Sequence, residues 1–270
     1  MSELGCSTIS FCHRPLPEAL AAISALGMSG IDLGGLPGVC EHIPTPLDRD
    51  PDDIVEDVRT ARLDTWAINV DPGPLNDPAL DDEALVHTGT GLVSLAARLG
   101  AALIVPCGAP SRTPFVDESA DLARMANRLR LLGNVAADSD VRLLVEGLHH
   151  HRFCHSAERA RALLDLTPVE VAGFVFDVSH VVAGEIDEVA LAREFAERIE
   201  HVHLRDAEPG EINLSIGRGR ADFAGVVREL SAQGYTGRYV LELETHDVDE
   251  GDRVEVAAQA RETISALLPT

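Results

Sequence analysis

The chain contains no lysine, because all 22 of its basic residues are arginine. This absence excludes enzymes that form a Schiff base on a catalytic lysine, among them one class of aldolases and the pyridoxal phosphate enzymes. It also excludes the phosphate-binding loop that requires a lysine beside a serine or threonine. Chemistry that depends on a lysine ammonium group is therefore not available to this protein.

Positive charge is scarce overall, since 45 acidic residues stand against 22 basic ones and the formal net charge is -23. Binding to DNA or RNA depends on neutralising phosphates, which so negative a chain does poorly. An acidic surface without lysine would also suit a salt-rich cytoplasm, and GC-rich coding bias explains it equally well. We therefore predict that nucleic acid is not a partner.

Long apolar runs and paired cysteines are also missing. No apolar run reaches the roughly 18 residues of a membrane helix, and the N-terminal MSELGCSTIS has no basic region followed by an apolar stretch. The five cysteines are scattered without a Cys-x-x-Cys pair, so neither a disulfide framework nor a zinc ribbon is indicated. We expect a soluble cytoplasmic protein with reduced thiols and no membrane partner.

Short apolar segments alternate regularly with segments of helical periodicity. The predicted strands are Gly5–Ser10, Gly30–Leu33, Thr65–Val70, Leu103–Pro106, Arg142–Glu146, Val171–Asp177, Ile199–Leu204 and Arg238–Glu242. The predicted helices are Pro17–Leu26, Asp52–Leu63, Asp81–Leu99, Glu118–Ala137, Ala157–Leu164, Glu188–Ala196, Phe223–Gln233 and Arg253–Leu267. Eight such pairs without a linker predict an α/β fold, a single (β/α)8 TIM barrel forming one domain over residues 1–270. A doubly wound sheet is the alternative, but it would leave two βα units without a place.

Ionisable residues stand at the ends of the last four predicted strands. Glu146 ends the fifth strand and Asp177 ends the sixth, while His201 and His203 alternate onto one face of the seventh. Glu242 ends the eighth strand, and Glu244 follows on the same face. Because the C-terminal ends of the strands converge in a barrel, we expect these side chains to meet there.

A divalent cation would resolve the repulsion among such carboxylates and the cost of burying them unpaired. The predicted ligands are Glu146, Asp177, His203 and Glu242. His203 is preferred to His201 because it lies nearer the end of its strand. The choice of Glu242 over Glu244 is closer and depends on Glu242 ending the apolar run. Oxygen and nitrogen ligands without thiolate suit one Mn(II) ion, with Mg(II), Co(II) and Zn(II) as alternatives.

The stretches FDVSHVVAGE, HVHLRD, IGRGRADF and GYTGRYVLELE resemble the xylose isomerase-like barrel superfamily, the sugar phosphate isomerase/epimerase group. Two earlier stretches, PLPEALAAISALGMSGIDL and AARLGAALIVPCG, resemble the first helix with the second strand and the third helix with the fourth strand of that group. The resemblance covers nearly the whole chain. It implies a metal held by Glu, Asp, His and Glu of strands five to eight, which map onto the four residues named above. It also implies that His180 and Arg205 contact the substrate, and that the protein forms dimers or tetramers.

The resemblance implies a metal-dependent isomerase or epimerase of a small sugar or polyol. In this hypothesis the ion stabilises an enediolate, while Glu146 and Glu242 remove and return a proton as the catalytic residues. Loss of a β-hydroxyl from the same intermediate would give dehydration, as in the inosose dehydratases of the family.

Two hypotheses of other classes remain. The family includes apurinic endonucleases with three metals, but Glu211 and Asn213 stand where that branch has Asp and His, which leaves His42 as the one candidate extra ligand. A sugar-binding barrel without catalysis would bind metal and ligand but exchange no protons.

Two further motifs have a functional and a structural interpretation. In LLVEGLHHHRFCH, residues 143–155, three consecutive histidines cannot all reach one ion, and we predict that His149 or His151 reaches the substrate or a carboxylate near the metal. The SIGRGR stretch could cradle a phosphate with its amides, helped by Arg218 and Arg220, or could simply be a tight turn.

Overall fold

Eight parallel strands pair in chain order and close into a barrel in the computed structural model, which describes residues 3–47 and 51–269. The strands are β1 (Leu4–Ser7), β2 (Gly30–Leu36), β3 (Asp64–Val70), β4 (Ala102–Pro106), β5 (Leu143–Glu146), β6 (Gly173–Asp177), β7 (Ile199–Leu204) and β8 (Arg238–Leu241). Strand β1 pairs with both β2 and β8, which closes the sheet. The predicted (β/α)8 barrel is confirmed. The predicted domain limits at residues 1 and 270 lie outside the described residues.

Helices alternate with the strands around the barrel. They are α1 (Leu16–Ala25), α2 (Pro51–Ala61), α3 (Asp82–Leu99), α4 (Glu118–Ala137), α5 (Ala157–Leu166), α6 (Val178–Ala183), α7 (Glu188–Phe195), α8 (Phe223–Ala232) and α9 (Arg253–Ser265). Aspartate side chains cap the first turns of several of them, as Asp81 does by accepting a hydrogen bond from the amide of Ala84. Among the described residues, none of the helices combines the length and apolar character needed to cross a membrane.

The sequence prediction was wrong at the end of the first strand, which stops at Ser7 and not at Ser10. Thr8–Phe11 forms a 3-10 helix, and the Ser7 hydroxyl accepts the amide hydrogen of Ile9 at its start. Such local hydrogen bonds from hydroxyl side chains compete with extended pairing. The prediction also missed helix α6, which follows β6 directly, and a small hairpin of Asp206–Glu208 with Glu211–Leu214 after β7.

An apolar layer lies inside the barrel beneath the polar strand ends. Ala67, Ile104, Leu144 and Val175 are buried against one another on four neighbouring strands. Side chains two positions apart on a strand share a face, so Leu144 stands below Glu146 and Val175 below Asp177. This layer forms the floor of the candidate site.

Candidate metal centre

The four predicted metal ligands converge at the C-terminal end of the barrel. Glu146, Asp177, His203 and Glu242 are all buried, and each offers one ligand atom within 4.8 Å of the others. The Nδ1 atom of His203 lies 3.7 Å from a carboxylate oxygen of Glu146 and 3.5 Å from one of Glu242. The arrangement can hold a metal ion, and the assignment of the four residues as ligands stays a prediction.

Two polar atoms of this group have no hydrogen-bond partner within residues 3–47 and 51–269. They are Oδ2 of Asp177 and Nδ1 of His203, and both are buried. An unpaired buried polar atom is costly, and native proteins seldom leave one without a partner. Since one atom is a carboxylate oxygen and the other an imidazole nitrogen, a cation between them would satisfy both.

The charge state of the group also fits a cation. Burial raises the pKa of Glu242 to about 7, and the charge of Glu146 acts in the same direction. Burial alone would lower the pKa of His203, but the charge of Glu242 and the hydrogen bond to Asp32 hold it well above its usual value. A divalent ion at this place would favour the deprotonated forms of both groups.

Asp32 is a buried carboxylate at the middle of β2 that was not predicted from the sequence as part of the site. Its Oδ2 atom accepts hydrogen bonds from Nε2 of His203 at 3.0 Å and from Nε2 of His201 at 2.7 Å. Burial would raise the pKa of Asp32, but the two imidazoles lower it to about 2. Because Nε2 of His203 donates to Asp32, its Nδ1 faces the three other candidate ligands. His201 contacts Asp32 and is not part of the group of Glu146, Asp177, His203 and Glu242, and the choice of His203 over His201 as a ligand stays a prediction.

The other candidate ligands are also held in place by neighbours. Oδ1 of Asp177 accepts hydrogen bonds from the amide and the hydroxyl of Ser179, at 2.7 and 2.6 Å. Oε1 of Glu242 accepts a hydrogen bond of 3.2 Å from the side-chain amide of Asn69, a second residue that the sequence analysis missed. Hydrogen bonds to metal-binding side chains orient those side chains and raise the affinity of a site for its metal.

Arg205 is buried next to the candidate metal ligands. Its guanidinium lies 3.5 Å from Oδ2 of Asp177 and 3.4 Å from Oε2 of Glu244. Glu244 is therefore the partner of Arg205, while Glu242 belongs to the ligand group. The Nε and Nη2 atoms of Arg205 also donate hydrogen bonds of 3.2 Å to the hydroxyl of Ser179, and its role in substrate binding stays a prediction.

The histidine tract, His149 to His151, lies next to Glu146. The ring of His149 stacks on that of His180 with centroids 3.7 Å apart, and Nε2 of His180 lies 3.9 Å from Oε1 of Glu146. Burial lowers the pKa of both rings well below the usual value. His150 is buried against Arg112, whereas His151 is exposed. Of the two tract histidines considered for substrate contact, the structure thus favours His149.

His42, the one candidate for an additional ligand, points elsewhere. Its Nδ1 atom lies 3.2 Å from the sulfur of Cys40 and its Nε2 atom 2.8 Å from the carbonyl oxygen of Arg14. In the described part of the chain His42 belongs to none of the groups that could hold a metal ion. The structure therefore gives no support to His42 as the ligand of an additional ion.

The glycine-rich turn, residues 215–220, folds around the carboxylate of Asp206. The carboxylate accepts hydrogen bonds from the amides of Gly217 at 2.8 Å and Ala221 at 3.1 Å. A Cβ atom at Gly219 would lie 2.3 Å from the carbonyl oxygen of Ala207, so only glycine fits there. Because these amides already bind a carboxylate of the chain, the geometry favours the tight-turn interpretation over a phosphate cradle.

Solved structures similar to this chain share its fold. The structure of an L-ribulose 3-epimerase matches with a TM-score of 0.80 and 20% identity, covering 99% of this chain and 95% of the other. A D-allulose 3-epimerase from Methylomonas sp. in complex with D-allulose matches with a TM-score of 0.80 and 16% identity over 98% and 96%. The IOLI protein with a bound zinc atom matches with a TM-score of 0.79 and 15% identity over 99% and 100%.

Similar curated proteins include inosose dehydratases. The enzyme of Clostridium botulinum (strain Eklund 17B / Type B) is 27% identical over 160 residues, or 52% of each chain. That of Geobacillus thermodenitrificans (strain NG80-2) is 28% identical over 170 residues, or 56% of this chain and 55% of the other. The chain thus spans about half the length of the curated relatives it matches. The family described as "Xylose isomerase-like TIM barrel" matches residues 20–268, and the chain belongs to this family.

Proposed function

We propose that the protein is a divalent-metal-dependent isomerase or epimerase of a small sugar or polyol. The observation that carries this proposal is the buried group of Glu146, Asp177, His203 and Glu242, in which two ligand atoms have no hydrogen-bond partner among the described residues. The likeness to sugar 3-epimerases supports it, because those proteins share the fold over nearly the whole chain.

These four residues would hold one ion, for which Mn(II) is the expected metal and Mg(II), Co(II) and Zn(II) are alternatives. When bound, such an ion supplies Lewis-acid stabilisation to negative charge on a substrate oxygen. The zinc atom in the similar IOLI structure supports a divalent metal in this fold.

Glu146 and Glu242 would carry the proton transfer. Glu146 ends β5 and Glu242 directly follows β8; the two strands are separated around the barrel by β6 and β7, so the two carboxylates flank the space above Asp177 and His203. One carboxylate would remove a proton from the carbon next to a carbonyl, and the other would return it. Return to the same carbon from the opposite face gives an epimer, and return to the neighbouring carbon gives an isomer.

Three further residues would bind the substrate. His180 and Arg205 are buried beside Asp177, and His149 stacks on His180 at the open side of the site. All three can donate hydrogen bonds to hydroxyl or carbonyl oxygens. An unphosphorylated substrate agrees with the glycine-rich turn, whose amides bind Asp206.

Dehydration of an inosose is the second candidate function. The curated relatives named above are inosose dehydratases, and their chemistry would begin with the same proton removal next to a carbonyl. The two activities differ only in whether a β-hydroxyl leaves before the proton returns.

The test is a screen in heavy water, in which the Mn(II)-supplemented protein is incubated with L-ribulose, D-allulose, D-tagatose and inososes and the products are followed by proton NMR. We expect deuterium to enter one substrate at the carbon beside the carbonyl, and loss of water would assign the dehydratase. Glu146→Gln and Glu242→Gln should each abolish this exchange, whereas Glu262→Gln, at an exposed position on α9, should retain it. Exchange that persists in both site variants would refute the assignment of the glutamates, and binding without exchange would indicate a sugar-binding barrel.

A further inference from the structure

The backbone of the histidine tract is fixed tightly over the site. The amide of Arg152 donates a hydrogen bond of 2.9 Å to the carbonyl oxygen of His149, which forms a turn. Arg112 holds the middle of the tract, because its Nε donates to the carbonyl oxygen of His150 and its Nη2 lies 2.8 Å from Nε2 of the same residue. The amides of the tract therefore have defined directions.

Two of these amides point at imidazole rings. The amide of His150 donates to Nδ1 of His180, and the amide of His151 donates to Nδ1 of His149, both at 3.3 Å. A ring nitrogen that accepts a hydrogen bond from an N–H group carries no proton of its own. The proton of each neutral ring is then on Nε2.

The two rings lie together beside the carboxylate of Glu146. The rings are stacked with an angle of 30° between their planes, and both offer a nitrogen within 4.8 Å of the carboxylate of Glu146. The nearest carboxylate oxygens to Nε2 of His180, on Asp177 and Glu146, lie at 3.7 and 3.9 Å. Because these distances exceed a hydrogen bond, the N–H group remains available to a ligand.

We propose that the backbone amides of His150 and His151 hold His180 and His149 as Nε2–H tautomers, which gives the site two N–H donors for an oxygen of the substrate beside Glu146. The nature of that oxygen, a hydroxyl or carbonyl of a neutral sugar, rests on the proposed function. The assignment of the two tautomers depends only on the two backbone hydrogen bonds. The proposal also excludes a second metal ion at Glu146, His149 and His180, because a protonated Nε2 has no lone pair to give.

The tautomers can be measured directly by NMR on protein labelled with 15N at histidine and loaded with diamagnetic Zn(II). Long-range proton–nitrogen correlations distinguish protonated from unprotonated ring nitrogens. The variants His149→Gln and His180→Gln assign the signals of the two rings, because each variant lacks one of them. The exposed His87 on α3 serves as the reference imidazole. We expect an unprotonated Nδ1 and a protonated Nε2 in both rings. An Nδ1–H tautomer in either ring, or the loss of its proton upon binding of a second ion, would overturn the proposal.

The donor role is tested by a matched pair of substitutions, with D-allulose as the probe for binding to the Mg(II)-loaded protein. The side-chain amide of Gln reaches the position of Nε2, whereas that of Asn reaches the position of Nδ1. His149→Asn should weaken binding about fivefold, the effect of one hydrogen bond, and His149→Gln should weaken it less than about twofold. Equal losses in the two variants would overturn the donor role.

Metal content of the wild-type protein and both variants is the control for folding, and it should stay at one ion per chain. If the wild-type protein binds neither D-allulose nor L-ribulose, D-tagatose or an inosose, the proposed substrate class is wrong. The NMR measurement still decides which tautomers the two rings adopt.

Discussion

Nε2 of His203 lies 3.0 Å from Oδ2 of Asp32, so the imidazole presents its Nδ1 atom to Glu146 and Glu242. This carboxylate–histidine contact joins β2 to β7 and fixes which nitrogen is offered to an ion. Hydrogen bonds of this kind are a regular support of metal-binding histidines.

We predict that Asp32→Asn weakens the binding of Mn(II) about 10- to 100-fold, because the amide is a poorer acceptor and no longer holds the Nε2 proton of His203. Isothermal titration calorimetry measures the effect without reference to catalysis. Asp64→Asn, at an exposed position where β3 begins, should bind the ion as the wild type does. Unchanged affinity in Asp32→Asn would show that His203 needs no such support.

Metal affinity should depend on pH in a defined direction. The pKa of Glu242 is raised to about 7 and that of His203 is raised as well, so at lower pH protons occupy atoms that the ion needs. Affinity should therefore fall as the pH is lowered through about 7, and binding at neutral pH should release protons. Calorimetry in buffers of different ionisation enthalpy counts those protons. Affinity that is constant from well below to well above this pKa would contradict the assignment of the ligands.

Chelation should destabilise the protein. An ion that binds only the folded state adds about 2.7 kcal/mol to the free energy of unfolding at a free concentration 100 times its Kd. Removing it also restores the repulsion among Glu146, Asp177 and Glu242. We expect a lower midpoint of thermal unfolding with EDTA for the wild type and a much smaller difference for Asp177→Asn. An equal shift in both proteins would place the stabilising ion elsewhere.

We expect the glycine-rich turn to stabilise the folded protein and not to bind a charged group of the substrate. Asp206→Ala leaves the amides of Gly217 and Ala221 without their acceptor, which should lower the free energy of unfolding by about 1–3 kcal/mol. Arg218→Ala and Arg220→Ala, both at exposed positions, should change KM for an unphosphorylated ketose less than about twofold, since no hydrogen bond to substrate is lost. Competitive inhibition by inorganic phosphate that disappears in these variants would restore the phosphate-cradle interpretation.

The candidate ligands could be predicted from the sequence because each one lies at or next to the C-terminal end of an apolar strand, and a barrel brings strand ends together. Asp32 could not be assigned in this way. It is a single acid in the apolar stretch SGIDLGG, and its partners His201 and His203 lie about 170 positions away in the chain. The pattern of a strand shows that such a residue is buried but does not show what it contacts.

The contacts of the histidine tract could not be predicted for a related reason. The histidine side chains are conspicuous in the sequence, but the amide of His150 contacts the ring of His180 and the amide of His151 contacts the ring of His149. Backbone donors carry no sequence signal, so only the folded chain shows them. The end of β1 was mispredicted on similar grounds, because the hydroxyl of Ser7 turns the chain before the apolar run is over.

The most direct test of the metal centre is the anomalous scattering of Mn(II) in crystals of the loaded protein. We predict one peak per chain, within about 2.0–2.6 Å of one atom from each of Glu146, Asp177, His203 and Glu242. A peak at another place, or a second peak at Glu146, His149 and His180, would contradict it.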